Sequence, residues 1–435
     1  MSTEALHYGR SFFNLTGKVD ELGRSYANFN YDNQGRVVAS ERAGSTYRHH
    51  FSYDNGSNSV TFPLGSTATF LFQAANEKNY LASIMHNDPA FPNCTHTVYL
   101  SYDEKGNATQ FIDTGMNNGG DIHANCSKFD PEINRPVIFL EGGASCPNDL
   151  QEHLPAGAER KTSIQWLPEL RIKSKISEPG QITTLVYNGQ PDPTAGNSIA
   201  SCAPASAILP GGKPIAAVCK KVLTSTTDKN GAKGFNATPE AGLAPRIWRY
   251  TYNQYGQVLT EDGPRTDLAD ITSYTYHSAT AFTGSDPYAV GVTMGDLKSV
   301  TNALGQVTQY TQYNKHGQLL ESIDLNGVVS SFKYDLRQRL LSSTVGGKTT
   351  NYSYDPIGQL TRVTLPDNSY IGYNYDPAHR LTGFFDGAGN SVNYTLDNAG
   401  NRTAEIVKDP AGVLRRQMAR SYDALSRTYQ VTGTD

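Results

Sequence analysis

The chain has 435 residues, of which 37% are hydrophobic and 18% charged, with a formal net charge of −4, a pI near 6.2, 26 Tyr, 40 Gly and 22 Pro. That balance argues against nucleic acid or an anionic membrane surface as the main partner, and no stretch approaches the length of a membrane span. Poor in helix-favouring residues and rich in turn formers and strand-favouring aromatics, it predicts an all-β protein with little helix.

The N-terminus, Met1-Ser-Thr-Glu-Ala-Leu-His-Tyr-Gly9, holds no apolar core of signal-peptide length. Residues 1–111 carry divergent copies of one phrase: Phe29-Asn-Tyr31-Asp32-Asn-Gln-Gly35-Arg36, then Phe51-Ser-Tyr53-Asp54, then Tyr102-Asp103-Glu-Lys-Gly106. Residues 112–245 break the rhythm. They hold Cys126, Cys146, Cys202 and Cys219 of the five cysteines, and proline-rich stretches such as Leu209-Pro-Gly-Gly-Lys-Pro214. They read as an irregular β segment, either a degenerate part of the array or an insert, with a separate globular domain as the alternative. Scattered cysteines in a β-rich chain suggest disulfides in an oxidising compartment with one thiol left over; buried unpaired thiols are the other reading. The best candidate pair is Cys202–Cys219, closing the Pro/Gly-rich segment between them.

From 246 to 435 the phrase becomes regular, recurring near every twenty-first residue through the last third of the chain. Its copies hold Tyr252 and Gly256, Tyr276, Tyr313 and Gly317, Tyr334 and Asp335, Tyr352-Ser-Tyr354-Asp355 with Gly358, Tyr373-Asn-Tyr375-Asp376, Tyr394-Thr-Leu396-Asp397 with Gly400, and Tyr422-Asp423. A fixed period of this length means one supersecondary unit copied and stacked. In Asn351-Tyr-Ser-Tyr-Asp-Pro-Ile-Gly-Gln-Leu360, Tyr352 and Tyr354 stand two apart and share one face of a strand. Asp355-Pro-Ile-Gly358 spells a type I turn. Gln338, His379 and Ser426 stand where other copies have the turn glycine, which a type I turn is expected to tolerate because its last position does not require a positive φ. One repeat is therefore two short antiparallel strands and two turns. The tyrosines are expected to pair across strands and stack between repeats, because each unit has few large aliphatics to cover its face. The aspartates are expected to serve the turns.

Catalytic patterns are absent: no G-x-S-x-G, H-E-x-x-H, P-loop or dinucleotide fingerprint occurs. His49, His50, His96, His123 and His153 lack metal-ligand spacing. Asp262, Asp267 and Asp270 lack the alternate-residue loop of calcium sites and read as a solvated loop. No catalytic, cofactor or metal residue is assigned.

The Tyr-x-Tyr-Asp-x-x-Gly-Arg-Leu phrase resembles the YD repeat of the Rhs (rearrangement hotspot) family and the wider group of bacterial polymorphic toxins. The same repeat occurs in insecticidal toxin-complex proteins and teneurins. The likeness is clear over about 246–435, looser over 25–110, and extends to Asp262-Gly-Pro-Arg-Thr-Asp267 and Gly295-Asp-Leu-Lys-Ser-Val-Thr-Asn-Ala-Leu-Gly-Gln306. It implies an antiparallel hairpin meander that spirals into part of a hollow shell, a β-cocoon, around a C-terminal toxin or other cargo. Family members are usually longer, and no toxin domain is evident here. Asp409-Pro-Ala-Gly-Val413 echoes the Asp-Pro-x-Gly element at which many relatives cut themselves, but a further repeat at Tyr422-Asp423 follows, so a turn is expected. The resemblance thus implies a non-enzymatic shell segment of a secreted or surface protein. Its partners would be the rest of the shell and a C-terminal effector. The alternative is a module binding glycans or cell-surface receptors through aromatic rows. A hydrolase within 112–245 is a third reading, which would need a pocket of convergent polar groups.

Overall fold

Where tyrosine, threonine and valine alternate with polar residues, the backbone is extended. Strand Lys348–Tyr354 pairs antiparallel with Leu360–Thr364 in the register Asn351↔Thr364, Tyr352↔Val363, Ser353↔Arg362 and Tyr354↔Leu360. This hairpin recurs throughout the computed structural model, which describes residues 5–8, 15–20, 25–54, 57–75, 78–87, 96–102, 108–116, 122–130, 132–133, 135–143, 150–285, 288–424 and 426–434. The described residues form 36 strands and two short 3-10 turns, Ala43–Ser45 and Gly234–Asn236. The protein is all-β and antiparallel, a meander of hairpins. No helix among the described residues is long and apolar enough to cross a membrane.

The chain divides into two compact units, one of residues 1–99 with 333–435 and one of residues 100–332. This division groups segments distant in sequence, unlike the consecutive blocks 1–111, 112–245 and 246–435.

In the 100–332 unit, strands Ile122–Asp130, Arg135–Gly143, Arg160–Leu167, Ile172–Glu178, Gln181–Tyr187 and Val218–Ser225 pair in order, and Val218–Ser225 then pairs with Arg246–Tyr252. The irregular stretch therefore supplies strands that lead into the regular repeats. It also holds a buried aliphatic cluster of Cys126, Ile138, Leu140 and Leu150. Loop 188–217 carries a short hairpin, Pro191–Asp192 with Ser198–Ile199, and is tied back by a Cys202–Cys219 disulfide. Asp192 of that hairpin forms a largely buried ion pair with Lys220, and Tyr252 N–H donates to the Cys202 carbonyl. Cys126 is disulfide-bonded as well; Cys94 and Cys146 lie outside the described residues. Replacing Cys202 and Cys219 together by Ser reopens a loop closed over a sequence separation of 17. The expected cost is about 3 kcal/mol, with faster hydrogen exchange over 188–217. Unchanged protection there would show that the hydrogen bonds alone hold the loop.

In the other unit, N-terminal strands rest on C-terminal turns. Tyr47 N–H donates to the Asn398 carbonyl at 2.8 Å. The Tyr26 ring stacks on His379 with centroids 4.5 Å apart, and His379 Nε2 lies 3.2 Å from the buried Asp20 carboxylate.

One expectation about the turns is corrected. The fourth turn position does adopt positive φ, both where it is glycine (Gly256 79°, Gly317 78°, Gly358 98°) and where it is not (Gln338 65°, His379 65°, Ser426 63°). The loop is a three-residue hairpin connection, a type I turn followed by a left-handed residue that forms a bulge. In such a loop the last position must bend the chain back into the twisted ladder. Non-glycine residues there carry a cost of about 1–2 kcal/mol, which at His379 accompanies its contacts with Asp20 and Tyr26.

Candidate functional site

Two devices recur through the repeats. The first is a carboxamide or carboxylate cage at the turn. Asp376 Oδ1 accepts the N–H groups of Ala378 and Arg380, both at 2.9 Å, while Oδ2 accepts Arg380 Nε at 2.7 Å. Asp335 repeats this with Arg337 and Arg339, and Asp32 with Gln34 and Arg36. In copies that begin with Asn, residue i+4 is Gln: Asn253 Nδ2 donates to Gln257 Oε1, Asn302 to Gln306 and Asn314 to Gln318, each at 2.8 Å. The pairing is chemical. Oδ1 is spent on two N–H groups, so the other end of the first residue decides whether its partner must donate or accept. Asp409 makes the same cage with Ala411, Val413 and Arg415, which places it in a turn. Asp423 and Arg427 form another such pair, and in Asp355 Oδ1 accepts the Gln359 N–H.

These bonds favour the ionised carboxylates. The N–H of Arg36 is the main cause that holds Asp32 below its ordinary range, and that of Val413 does the same for Asp409. Burial pushes the Asp335 carboxyl up, but the N–H and guanidinium of Arg339 outweigh it and leave it lowered. A lowered carboxyl stabilises the fold above the ordinary Asp value of about 3.9. That contribution is lost as pH falls through the folded-state value. Asp335→Asn would set an amide N–H against Arg339 Nε. It is expected to cost about 1.5–3 kcal/mol in urea unfolding. Adding Arg339→Gln recreates the Asn–Gln pair of the neighbouring turns and should recover most of the loss. No recovery would show that the cage is not the cause.

The second device is a phenol staple. The second tyrosine of a repeat sits beside a one-residue bulge next to the turn, as at Ser353/Tyr354 and Asn374/Tyr375. The residue facing that tyrosine offers its carbonyl to the tyrosine of the next repeat. Tyr354 faces Leu360, and Tyr375 Oη donates to the Leu360 carbonyl at 2.9 Å. Likewise Tyr53 Oη reaches Val37, Tyr276 reaches Val258, Tyr313 reaches Leu297, Tyr354 reaches Leu340 and Tyr422 reaches Arg402, at 2.7–3.1 Å. Tyr31 Oη bonds Leu15 in the same way.

The staple has a simple origin. Between repeats the ladder runs only from Arg362↔Gly372 to Thr364↔Tyr370, so the strands diverge toward the turns and a phenol meets a carbonyl the ladder does not reach. Tyrosine–tyrosine stacking between repeats, expected from the sequence, is not what the described rings show. Ring contacts are edge-on between Tyr370 and Phe385 and between Phe384 and Tyr394. Arginines cover other faces, with Arg36 over Tyr53 at 4.5 Å and Arg339 over Tyr354 at 4.6 Å. Burial raises the phenols of Tyr252, Tyr276, Tyr334, Tyr354 and Tyr375, and pushes Tyr313 up to about 12.

Of the other signature residues, Tyr352 and Tyr373 lie within strands Lys348–Tyr354 and Tyr370–Tyr375, Tyr102 ends His96–Tyr102, and Asp54 ends Thr46–Asp54. Gly35 and Gly400 take the left-handed turn position, at 77° and 85°. Asp397 cages Ala399 and Asn401. Asp103 and Gly106 lie outside the described residues. The sequence reading missed Tyr187, whose Oη donates to the Lys173 carbonyl and which faces Val218, the acceptor of Tyr252 Oη. A long loop stands where its turn should be, so the spacing hid it.

Polar groups elsewhere are engaged structurally. His153 Nε2 lies 2.7 Å from Glu159 Oε2, which also accepts the Ala156 N–H. Lys161, 5% exposed, donates Nζ to the Gln151 and His153 carbonyls beside a cavity of about 330 Å³ lined by Ile138, Ser163, Ile164 and Phe235. Arg265 pairs with Asp267 and donates its N–H to Asp270, while Arg249 stands 3.7 Å from Asp262. Among the described residues no group of three or more His, Cys, Asp or Glu is placed to hold a metal.

A family model described as RHS Repeat matches residues 295–329, 334–370 and 354–383. A curated protein, "Double-stranded DNA deaminase toxin A" of Burkholderia cenocepacia (strain H111), is 32% identical over 117 residues, 27% of this chain and 8% of that protein. Solved structures similar to the chain include TcdB2-TccC3-Cdc42 (11% identity, TM-score 0.41, 97% of this chain and 25% of that one). Another is TcdB2-TccC3-TEV (14% identity, TM-score 0.35, 100% of this chain and 25% of that one). The chain thus spans less than a tenth of the curated relative and about a quarter of the solved chains.

Proposed function

The chain is an RHS/YD-repeat protein, and from that premise we propose that it is a non-catalytic stretch of wall in a hollow shell that encloses a C-terminal toxin or effector of a secreted or surface protein. The observation that carries the reading is the staple. Each phenol ties one hairpin to the next through backbone, and turn arginines do the same, as Arg380 does with the Asp397 carbonyl at 2.7 Å. Such nearest-neighbour links suit a wall that extends repeat by repeat. The glycan-binding alternative gains no comparable support, since the stapling hydroxyls are spent on carbonyls and arginines lie over several rings.

The test uses the longer protein that contains this chain. A segment following residue 435 is expected to resist protease while the wall is intact, and to be cut once a staple is removed by Tyr313→Ala. Equal cutting with and without that substitution would rule out enclosure.

A further inference from the structure

The repeat at 394–397 has no phenol to make a staple. In Tyr394-Thr-Leu396-Asp397 the second tyrosine is leucine, so no phenol reaches toward Leu381, the residue that faces Tyr375. The ladder between these two strands ends at Gly383↔Asn393. Where the ring would lie there is a cavity of about 360 Å³, lined by Arg380, Leu381, Leu396, Arg402, Arg420 and Tyr422.

The arginines around it are in excess. Glu405, 12% exposed, is the carboxylate shared by Arg402 at 3.4 Å, Arg416 at 2.9 Å and Arg420 at 4.0 Å. One negative charge thus faces three guanidiniums, while Arg380 is matched by its own Asp376. The Arg402 guanidinium lies over the Tyr394 ring, 3.5 Å from its centroid, a contact that holds it beside the cavity. The Arg420 side chain is only 23% exposed, and its recorded ion pair is the long one to Glu405. A guanidinium carries five N–H donors and stays charged at any physiological pH. The long ion pair leaves donors of this half-buried guanidinium for another acceptor, and the cavity beside it has room for one.

We propose that this cavity is an oxyanion site, in which a phosphate or carboxylate group binds between Arg402 and Arg420 with Leu381 and Leu396 as its apolar floor. A planar guanidinium fork matches both kinds of group. Leucine in place of tyrosine at 396 is what opens the site. The inference does not depend on the shell reading, because it concerns charge and space within one compact unit.

The test is thermal unfolding and calorimetric titration of the full chain with inorganic phosphate, with sodium acetate, and with sodium chloride at matched ionic strength. Phosphate or acetate is expected to raise the Tm beyond chloride, and the stronger of the two identifies the preferred group. Leu396→Tyr, which refills the cavity with a stapling phenol, and Arg420→Met should each weaken binding roughly tenfold or more. Arg415→Gln, whose partner is Asp409 outside the cavity, should leave binding unchanged. Chloride matching phosphate and acetate in the unsubstituted chain would overturn the proposal whether or not the variants fold. So would equal affinity in Leu396→Tyr and Arg420→Met, or an equal loss in Arg415→Gln.

Discussion

Tyr313→Ala is expected to lower the unfolding free energy by about 3–5 kcal/mol, the cost of deleting a large buried aromatic. Tyr313 is buried, 7% exposed, and its Oη donates to the Leu297 carbonyl at 2.7 Å. Tyr313→Phe separates ring from hydroxyl. It keeps the packing, leaves the carbonyl short of a donor and should cost about 1–3 kcal/mol. In a repeat array the loss is local, so hydrogen exchange should quicken over 297–319 before the rest of the unit opens. Alkali gives a second readout. The Tyr313 phenol is pushed up to about 12, chiefly by burial. A raised phenol stabilises fully below the unfolded value of about 10 and loses that contribution as pH climbs through its folded value. Between those two values the unsubstituted protein should weaken more steeply than Tyr313→Phe. Parallel alkaline curves, or a phenylalanine variant as stable as the original, would show that the staple contributes nothing.

Gly231→Ala is expected to cost roughly 3 kcal/mol or more. Its φ is +81°, which alone disfavours a side chain by about 1–2 kcal/mol, and an added Cβ would lie 1.8 Å from the Lys161 carbonyl oxygen. Backbone cannot yield as a side chain does, so overpacking adds about 1–3 kcal/mol. The loop cannot simply lift away, because Lys161 N–H donates to the Asn230 carbonyl at 2.9 Å. Gly317→Ala is the control: φ is +78° but nothing stands within 4 Å of its added Cβ, so only the conformational cost remains. Urea midpoints that fall equally for the two would mean that the contact at Gly231 relaxes freely.

The hairpins themselves were legible because each is local. A strand of alternating rings, an Asp or Asn that caps its own turn and a short return strand lie within a dozen residues, and their period announces the array. The Asn–Gln and Asp–Arg pairing at i and i+4 also lies in the sequence, since Asn253–Gln257 and Asp335–Arg339 differ in step. So does the left-handed fourth position. Glycine's frequency there is a φ signal, and three-residue hairpin loops demand it.

The amino-acid sequence alone thus determined the all-β repeat and the places of its turns, and it offered Cys202–Cys219 as a candidate pair. Only tertiary structure decided what the tyrosines do. Their partners are backbone carbonyls, which every residue carries, and geometry chooses among them when strands diverge at a bulge. It likewise decided that His379 meets Asp20 across 359 positions, that Gly231 touches Lys161, and that Leu396 leaves arginines facing open space. Each depends on which segments the fold brings together, and no spacing along the chain encodes that distance.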